Sequence, residues 1–140
     1  MEYQYIENFD DGHYSQLLEI FEKEKWNKTL NDVKTAHQYS LPFGIFESDS
    51  QQLIAYVRVL TDTIKYAFIF DLVIKRDFRQ KGIATQLMNY VLNHDRFRNI
   101  VYFELTCAPE MEKFYQAFGF GKEYSSIEFG QVIPLRYKKS

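Results

Sequence analysis

The chain predicts an α/β fold in a single domain spanning residues 1–140, and three observations carry that expectation. At 140 residues with 46% hydrophobic content, it has the size and apolar share of one packed core, not of a disordered chain. Ala67–Ile74 is an apolar, strand-like run followed by a short turn and a segment with helical spacing. Ile100–Thr106 repeats that arrangement ahead of residues 110–118. Strands alternating with helices read as an α/β arrangement, and no internal repeat, linker or low-complexity tract interrupts the pattern.

Tyr3-Gln4-Tyr5-Ile6 reads as an opening strand that ends at the turn Asp10-Asp11-Gly12. Tyr14, Leu17, Leu18 and Phe21 then mark an amphipathic helix. Leu30, Val33, Lys34 and His37 mark a shorter second helix, with Thr29 or Asn31 as its cap. Phe43–Glu47 and Leu53–Leu60 are strands joined by the polar turn Ser48-Asp49-Ser50-Gln51. Asp62–Lys65 turns the chain into a strand over Tyr66–Lys75, expected to be mostly buried because its middle is apolar. Ile83, Leu87, Met88, Val91 and Leu92 form the apolar face of the next helix.

After the strand Ile100–Thr106, Pro109 suits a helix start, where its missing N–H costs little, and Glu110 suits the first turn. Met111, Phe114, Tyr115 and Phe118 fall at i, i+3, i+4 and i+7, predicting a helix over Glu110–Phe118. Gly119 is placed to end it as the C′ residue, with Phe120 supplying the accompanying apolar contact. Ser125–Phe129 and Val132–Tyr137 read as a final hairpin around Gly130.

The net charge is −2 and the basic residues form no long tract, so nucleic acid is not an expected partner. The basic tail Arg136-Tyr137-Lys138-Lys139 reads as a solvated end. No apolar run is long enough to span a bilayer, and Met1-Glu2-Tyr3-Gln4 does not resemble a signal peptide. A single cysteine excludes an internal disulfide and fits a reducing compartment. The expectation is a cytoplasmic protein with no membrane partner. His13, His37 and His94 are widely spaced and match no ligand pattern, so no metal is expected.

The stretch Arg79-Gln80-Lys81-Gly82-Ile83-Ala84, between the apolar strand and the helix, carries the first chemical signal. A helix start offers unpaired N–H groups and partial positive charge, both of which favour phosphate. Gly82 lets a ligand oxygen approach the backbone closely, while Arg79, Lys81 and Arg76 add full charges. The turn resembles the diphosphate-binding signature Arg/Gln-x-x-Gly-x-Gly/Ala of the GNAT superfamily of N-acetyltransferases, matched by Arg79, Gly82 and Ala84. It lacks the second glycine and the Lys-Ser/Thr ending of a Walker A loop, and has one glycine where a dinucleotide fingerprint has three. Phe114-Tyr115-Gln116-Ala117-Phe118-Gly119-Phe120 resembles a second signature of the same superfamily, Tyr-x-x-x-Gly-Phe. Two signatures in the family's order, each on the element the family gives it, are far more specific than either alone.

The resemblance implies the order β-α-α-β-β-β-α-β-α-β-β, a mixed sheet with helices on both faces, and acetyl-CoA as cosubstrate. It implies that Ala67–Ile74 and Ile100–Thr106 are parallel neighbours that splay apart around the pantetheine arm. Main-chain amides of Leu72, Val73 and Ile74 would hold that arm. Arg79, Gln80, Lys81, Gly82, Ile83, Ala84 and Thr85 would hold the diphosphate. Position 110 carries Glu where many members have an Asn that touches the pantetheine, a departure that bears on that side-chain contact and not on the fold.

Acetyl transfer to an amine needs a neutral amine, a stabilised oxyanion and a proton for the departing thiolate. An alkyl ammonium has a pKa of about 10.4, so a base or a water relay must deprotonate it, whereas backbone N–H groups can meet the oxyanion. Tyr115 matches the family's tyrosine near the coenzyme sulfur and is the expected acid, or alternatively only the rim of an apolar helix face. For the base, Asp71 is the carboxylate inside the apolar run, where desolvation would disfavour its ionisation. Its alternative is a solvated position or a pair with a basic neighbour such as Arg58. Glu104 on the next strand is the second candidate, with the same alternative, and a water relay without a single base is the third. Cys107 reads as a small buried hydrophobe in preference to a nucleophile. Trp26, Tyr39 and Asp62 are candidates for the acceptor side, with Trp26 equally placed for the core.

The expected acceptor is an amine on a small molecule, a lysine or a protein N-terminus, and family habit allows a homodimer. A non-catalytic acyl-CoA sensor or interaction module on the same fold is the competing reading. A generic α/β domain with a coincidental turn is the third.

Overall fold

The computed structural model describes residues 2–121 and 133–139. Its elements run β1 (Tyr3–Ile6), α1 (Asp11–Lys23), α2 (Leu30–Tyr39), β2 (Leu41–Glu47), β3 (Gln52–Thr61), β4 (Tyr66–Ile74), α3 (Ile83–Leu92), β5 (Tyr102–Cys107), α4 (Glu112–Gln116) and β6 (Ile133–Lys138). Among the described residues six strands lie in one sheet in sequence order. The β1–β2, β2–β3 and β5–β6 pairs are antiparallel, while β4 and β5 are parallel, so the sheet is mixed as expected. The β4–β5 register is short: Tyr66↔Tyr102, Ala67↔Phe103 and Phe68↔Glu104. Of the final hairpin, Ser125–Phe129 lies outside the described residues.

The chain packs as two compact units, one of Met1–Val59 with Asp71–His94 and one of Leu60–Phe70 with Asp95–Ser140. In the first unit, Leu17, Ile20, Phe21, Val33, Leu53, Tyr56 and Val73 form a common core. The apolar face of α3 (Ile83, Leu87, Met88, Val91 and Leu92) is buried, as its spacing required. Each such side chain taken fully out of water contributes about 1.5–3 kcal/mol. In the second unit Phe97, Ile100, Phe103, Leu105, Phe120 and Leu135 are buried.

Four details differ from the sequence expectation. Asp10 does not turn the chain ahead of the first helix but caps it, and α1 begins at Asp11. The strand predicted from Ile100 begins at Tyr102. The helix predicted over Glu110–Phe118 is a 3₁₀ turn, Pro109–Met111, followed by the five-residue α4. Apolar spacing alone does not distinguish 3₁₀ from α geometry over one turn. β4 is less buried than the mostly buried strand expected: Ala67, Ile69 and Val73 are buried while Phe68, Phe70, Asp71 and Leu72 are partly exposed. Asp71 also breaks the strand geometry, with φ 62° in the left-handed region.

The ends of α1 and α4 share one physical solution. At α4, Phe120 N–H donates to Tyr115 O and Gly119 N–H to Gln116 O, the paired bonds of a Schellman motif with Gly119 (φ 99°) at C′. The Phe120 and Tyr115 rings meet edge-on at 6.1 Å and supply the apolar contact expected from the sequence. At α1, Trp26 N–H donates to Phe21 O and Lys25 N–H to Glu22 O, with Lys25 (φ 60°) in the left-handed position.

Candidate active site

The first functional feature is the start of α3. α1 and α2 begin with side-chain caps: Asp10 Oδ1 accepts from His13 N–H at 2.8 Å, and Thr29 Oγ1 accepts from Asp32 N–H at 3.1 Å. α3 has no side-chain cap and no acid in its first turn. Its N-cap is Gly82 at φ 77°, where a Cβ would meet no atom within 4 Å. Gln80 is also left-handed at φ 62°. A helix start that is uncapped, flanked by left-handed residues and open in front presents its N–H groups outward, a geometry suited to an anion. These residues therefore fit the diphosphate of a coenzyme A thioester.

The charges around this start are ordered from α1. Glu24 Oε1 accepts from Arg79 Nη2 at 2.7 Å and Oε2 from Arg76 Nε at 3.0 Å. These bonds, the one to Arg79 foremost, hold the Glu24 carboxyl below its ordinary pKa despite some desolvation. Arg79 Nε also donates to Ile74 O at 3.0 Å, tying the turn to the end of β4. Lys81 lies over the Phe78 ring at 5.3 Å.

Asp71 does not sit among apolar groups alone. Its Oδ2 accepts from Lys28 Nζ at 3.1 Å and from Arg58 Nε at 3.3 Å. The surroundings are thus cationic, and the pairing alternative with Arg58 is the one realised. Next to this cluster runs a chain of hydrogen bonds that the sequence reading missed. His37 Nδ1 meets the Tyr14 hydroxyl at 3.0 Å, and its Nε2 meets the Tyr56 hydroxyl at 2.6 Å. Burial, reinforced by Arg58, pushes the His37 pKa down to about 4, so the ring is neutral at pH 7. One ring nitrogen then donates and the other accepts. Burial raises the Tyr56 hydroxyl pKa, with Asp71 adding to the rise.

Tyr115 is buried, 7% exposed. Desolvation, then the nearby Cys107, pushes its hydroxyl pKa up to about 12. It therefore carries its proton throughout the neutral range. Glu104 lines a shallow, solvent-open hollow with Leu60, Thr61, Asp62, Tyr66, Ala67 and Phe68.

The three acceptor-side candidates have separate settings. Trp26 closes the end of α1, partly buried and packed on Phe21 at 5.5 Å. Tyr39, the last residue of α2, is 75% exposed. Asp62 Oδ1 accepts from the N–H groups of Ile64, Lys65 and Tyr66, which holds the β3–β4 turn and lowers its pKa. It also shares the hollow with Glu104. Among the described residues there is no group of three His, Cys, Asp or Glu side chains able to hold a metal ion, and no helix is long and apolar enough to cross a membrane.

Comparison with known proteins gives the class. Residues 6–120 match the acetyltransferase (GNAT) family, and the chain belongs to it. An uncharacterized N-acetyltransferase of Gracilaria tenuistipitata var. liui is 34% identical over 83 residues, covering 59% of this chain and 46% of the relative. The chain thus matches about half the length of that relative. Among solved structures, a putative GNAT-family acetyltransferase of Xanthomonas campestris pv. campestris superposes with a TM-score of 0.73 at 23% identity, covering 92% of this chain and 93% of that one. An aminoglycoside 6′-N-acetyltransferase complexed with coenzyme A superposes with a TM-score of 0.75 at 11% identity, covering 99% and 97%.

Proposed function

We propose that the protein moves the acetyl group of acetyl-CoA to a primary amine, on a small molecule, a lysine side chain or a protein N-terminus, by direct attack. The observation that carries this reading is the open, uncapped start of α3 at Gly82 in a chain of the GNAT family. Acetyl-CoA supplies an activated thioester and a diphosphate that suits such a start. The N–H groups of Gly82, Ile83, Ala84 and Thr85, with Arg79 and Lys81, bind the diphosphate. The amides of Leu72, Val73 and Ile74 orient the pantetheine arm and meet developing negative charge. Tyr115, protonated at neutral pH, donates its hydroxyl hydrogen toward the sulfur. The acceptor's proton goes to Asp71, to Glu104 or to a water relay. Asp71→Asn and Glu104→Gln separate these, since loss of the true base removes the acid limb of the pH–rate profile.

Thiol release from acetyl-CoA with a panel of amines tests the reading. Arg79→Glu is expected to weaken coenzyme A binding about tenfold or more, the scale of a lost charge-assisted contact. Tyr115→Phe is expected to lower turnover more than affinity, by about tenfold to a hundredfold. Unchanged coenzyme affinity in Arg79→Glu would remove the turn from the site. A second reading, a non-catalytic acyl-CoA sensor, draws on the occupation of Asp71 by Lys28 and Arg58. It predicts coenzyme binding without thiol release on any amine.

A further inference from the structure

Glu24 stands outside both family signatures and is 55 residues from Arg79, yet it is bonded to both arginines of the turn before α3. Its backbone is fixed by the Schellman end of α1, with Lys25 and Trp26 N–H groups bonded back to Glu22 O and Phe21 O at 3.0 and 2.9 Å. From that fixed position its carboxylate divides between two partners, Oε1 to Arg79 and Oε2 to Arg76. Arg76 Nη2 also donates to Lys23 O at 2.6 Å, a cation on the last carbonyls of a helix. The Glu24 side chain is 18% exposed, against 43% for Arg79 and 59% for Arg76. The carboxylate is thus the anchored member of the cluster, and the guanidiniums extend from it toward solvent.

We infer that Glu24 is a positioning residue for the coenzyme: it holds Arg76 and Arg79 at the start of α3 so that their remaining N–H donors are aimed before the diphosphate arrives. The inference rests on the coenzyme reading of that start. Two physical effects oppose each other here, and they differ in sign. As a charge, Glu24 offsets one of the two arginines and would weaken anion binding. As a fixed acceptor, it removes the rotamer freedom that two long guanidinium side chains would otherwise lose on binding. Each guanidinium has five N–H donors; Glu24 with one backbone carbonyl, Ile74 O for Arg79 and Lys23 O for Arg76, takes the Nε–Nη2 edge and leaves Nη1 for phosphate. The same segment carries Lys75 and Lys81 against one acid, Asp77, so the local charge stays positive with Glu24 ionised. The proposal requires that preorganisation outweigh the charge offset.

The test compares Glu24→Ala with the wild-type protein for two probes: coenzyme A, and pantetheine, which lacks the diphosphate. Glu24→Ala is expected to raise the Kd for coenzyme A about fivefold, the upper range for partly exposed ion pairs, and to leave the Kd for pantetheine unchanged. Glu24→Gln, which keeps an acceptor oxygen, is expected to fall between the two. Tighter coenzyme A binding in Glu24→Ala would make the residue a competitor of the ligand and overturn the proposal. Equal losses for both probes with a lowered melting temperature would assign it a structural role and overturn it as well. An unchanged Kd for both probes would sink Glu24 alone. A wild-type protein that binds no coenzyme A would sink the coenzyme reading beneath it.

Discussion

α1 and α3 start in opposite ways. At α1, Asp10 and His13 form a reciprocal capping box, the Asp10 side chain accepting from His13 N–H and the His13 ring meeting Asp10 N–H. At α3, a left-handed glycine with open space in front takes the same position and no side chain closes it. Both helices bury an apolar face, so packing does not explain the difference. An N-cap side chain contributes about 1 kcal/mol, and a helix that forgoes one leaves its N–H groups available to something outside the chain. The contrast teaches that two helices of one unit can both bury an apolar face and yet differ in whether the chain itself closes their first turn.

Making the start of α3 resemble that of α1 should break this contrast most sharply. Gly82→Asp puts a carboxylate where the diphosphate is expected, and coenzyme A affinity by calorimetry should fall about a hundredfold or more. The converse change, Asp10→Ala, opens the start of α1. It should cost about 1 kcal/mol in denaturant unfolding and leave coenzyme A affinity unchanged; an altered affinity would show that the two starts are not independent. A further expected effect concerns His37 near the end of α2. The fold holds its pKa at about 4, below the ordinary 6.5, so the unfolded chain binds the proton first as pH falls. The stability it contributes is complete above about pH 6.5 and is lost between there and about pH 4. His37→Gln should flatten that part of the stability–pH curve, and a slope equal to wild type would assign the loss to other groups.

The start of α3 and several other helix ends were legible in the sequence because they depend on residues three or four apart, whereas the Asp10 cap of α1 was read as a turn. Thr29 as a cap, Gly119 as a C′ residue with Phe120 against Tyr115, and Gly82 opening α3 all follow from backbone geometry and neighbouring side chains. The errors came where spacing is silent. A period of i, i+3, i+4 fits both the 3₁₀ turn at Pro109–Met111 and an α-helix, and an apolar run does not report that β4 turns left-handed at Asp71. Trp26 illustrates another limit: its place between two helices left the core and the acceptor side both open, and the structure shows its N–H and ring closing the end of α1 while the residue stays partly exposed.

The sequence by itself determined the family, the order of the elements and the turn with its glycine and basic residues. All of these are encoded within windows of about a dozen positions. Only the tertiary structure decided which charges meet. Glu24 reaches Arg76 and Arg79 across more than 50 residues, Lys28 reaches Asp71 across 43, and His37 joins Tyr14 to Tyr56. The physical reason is that electrostatic and hydrogen-bond partners are chosen by distance in space, and a chain's local pattern fixes its elements without fixing which of their ends come within 3 Å of one another.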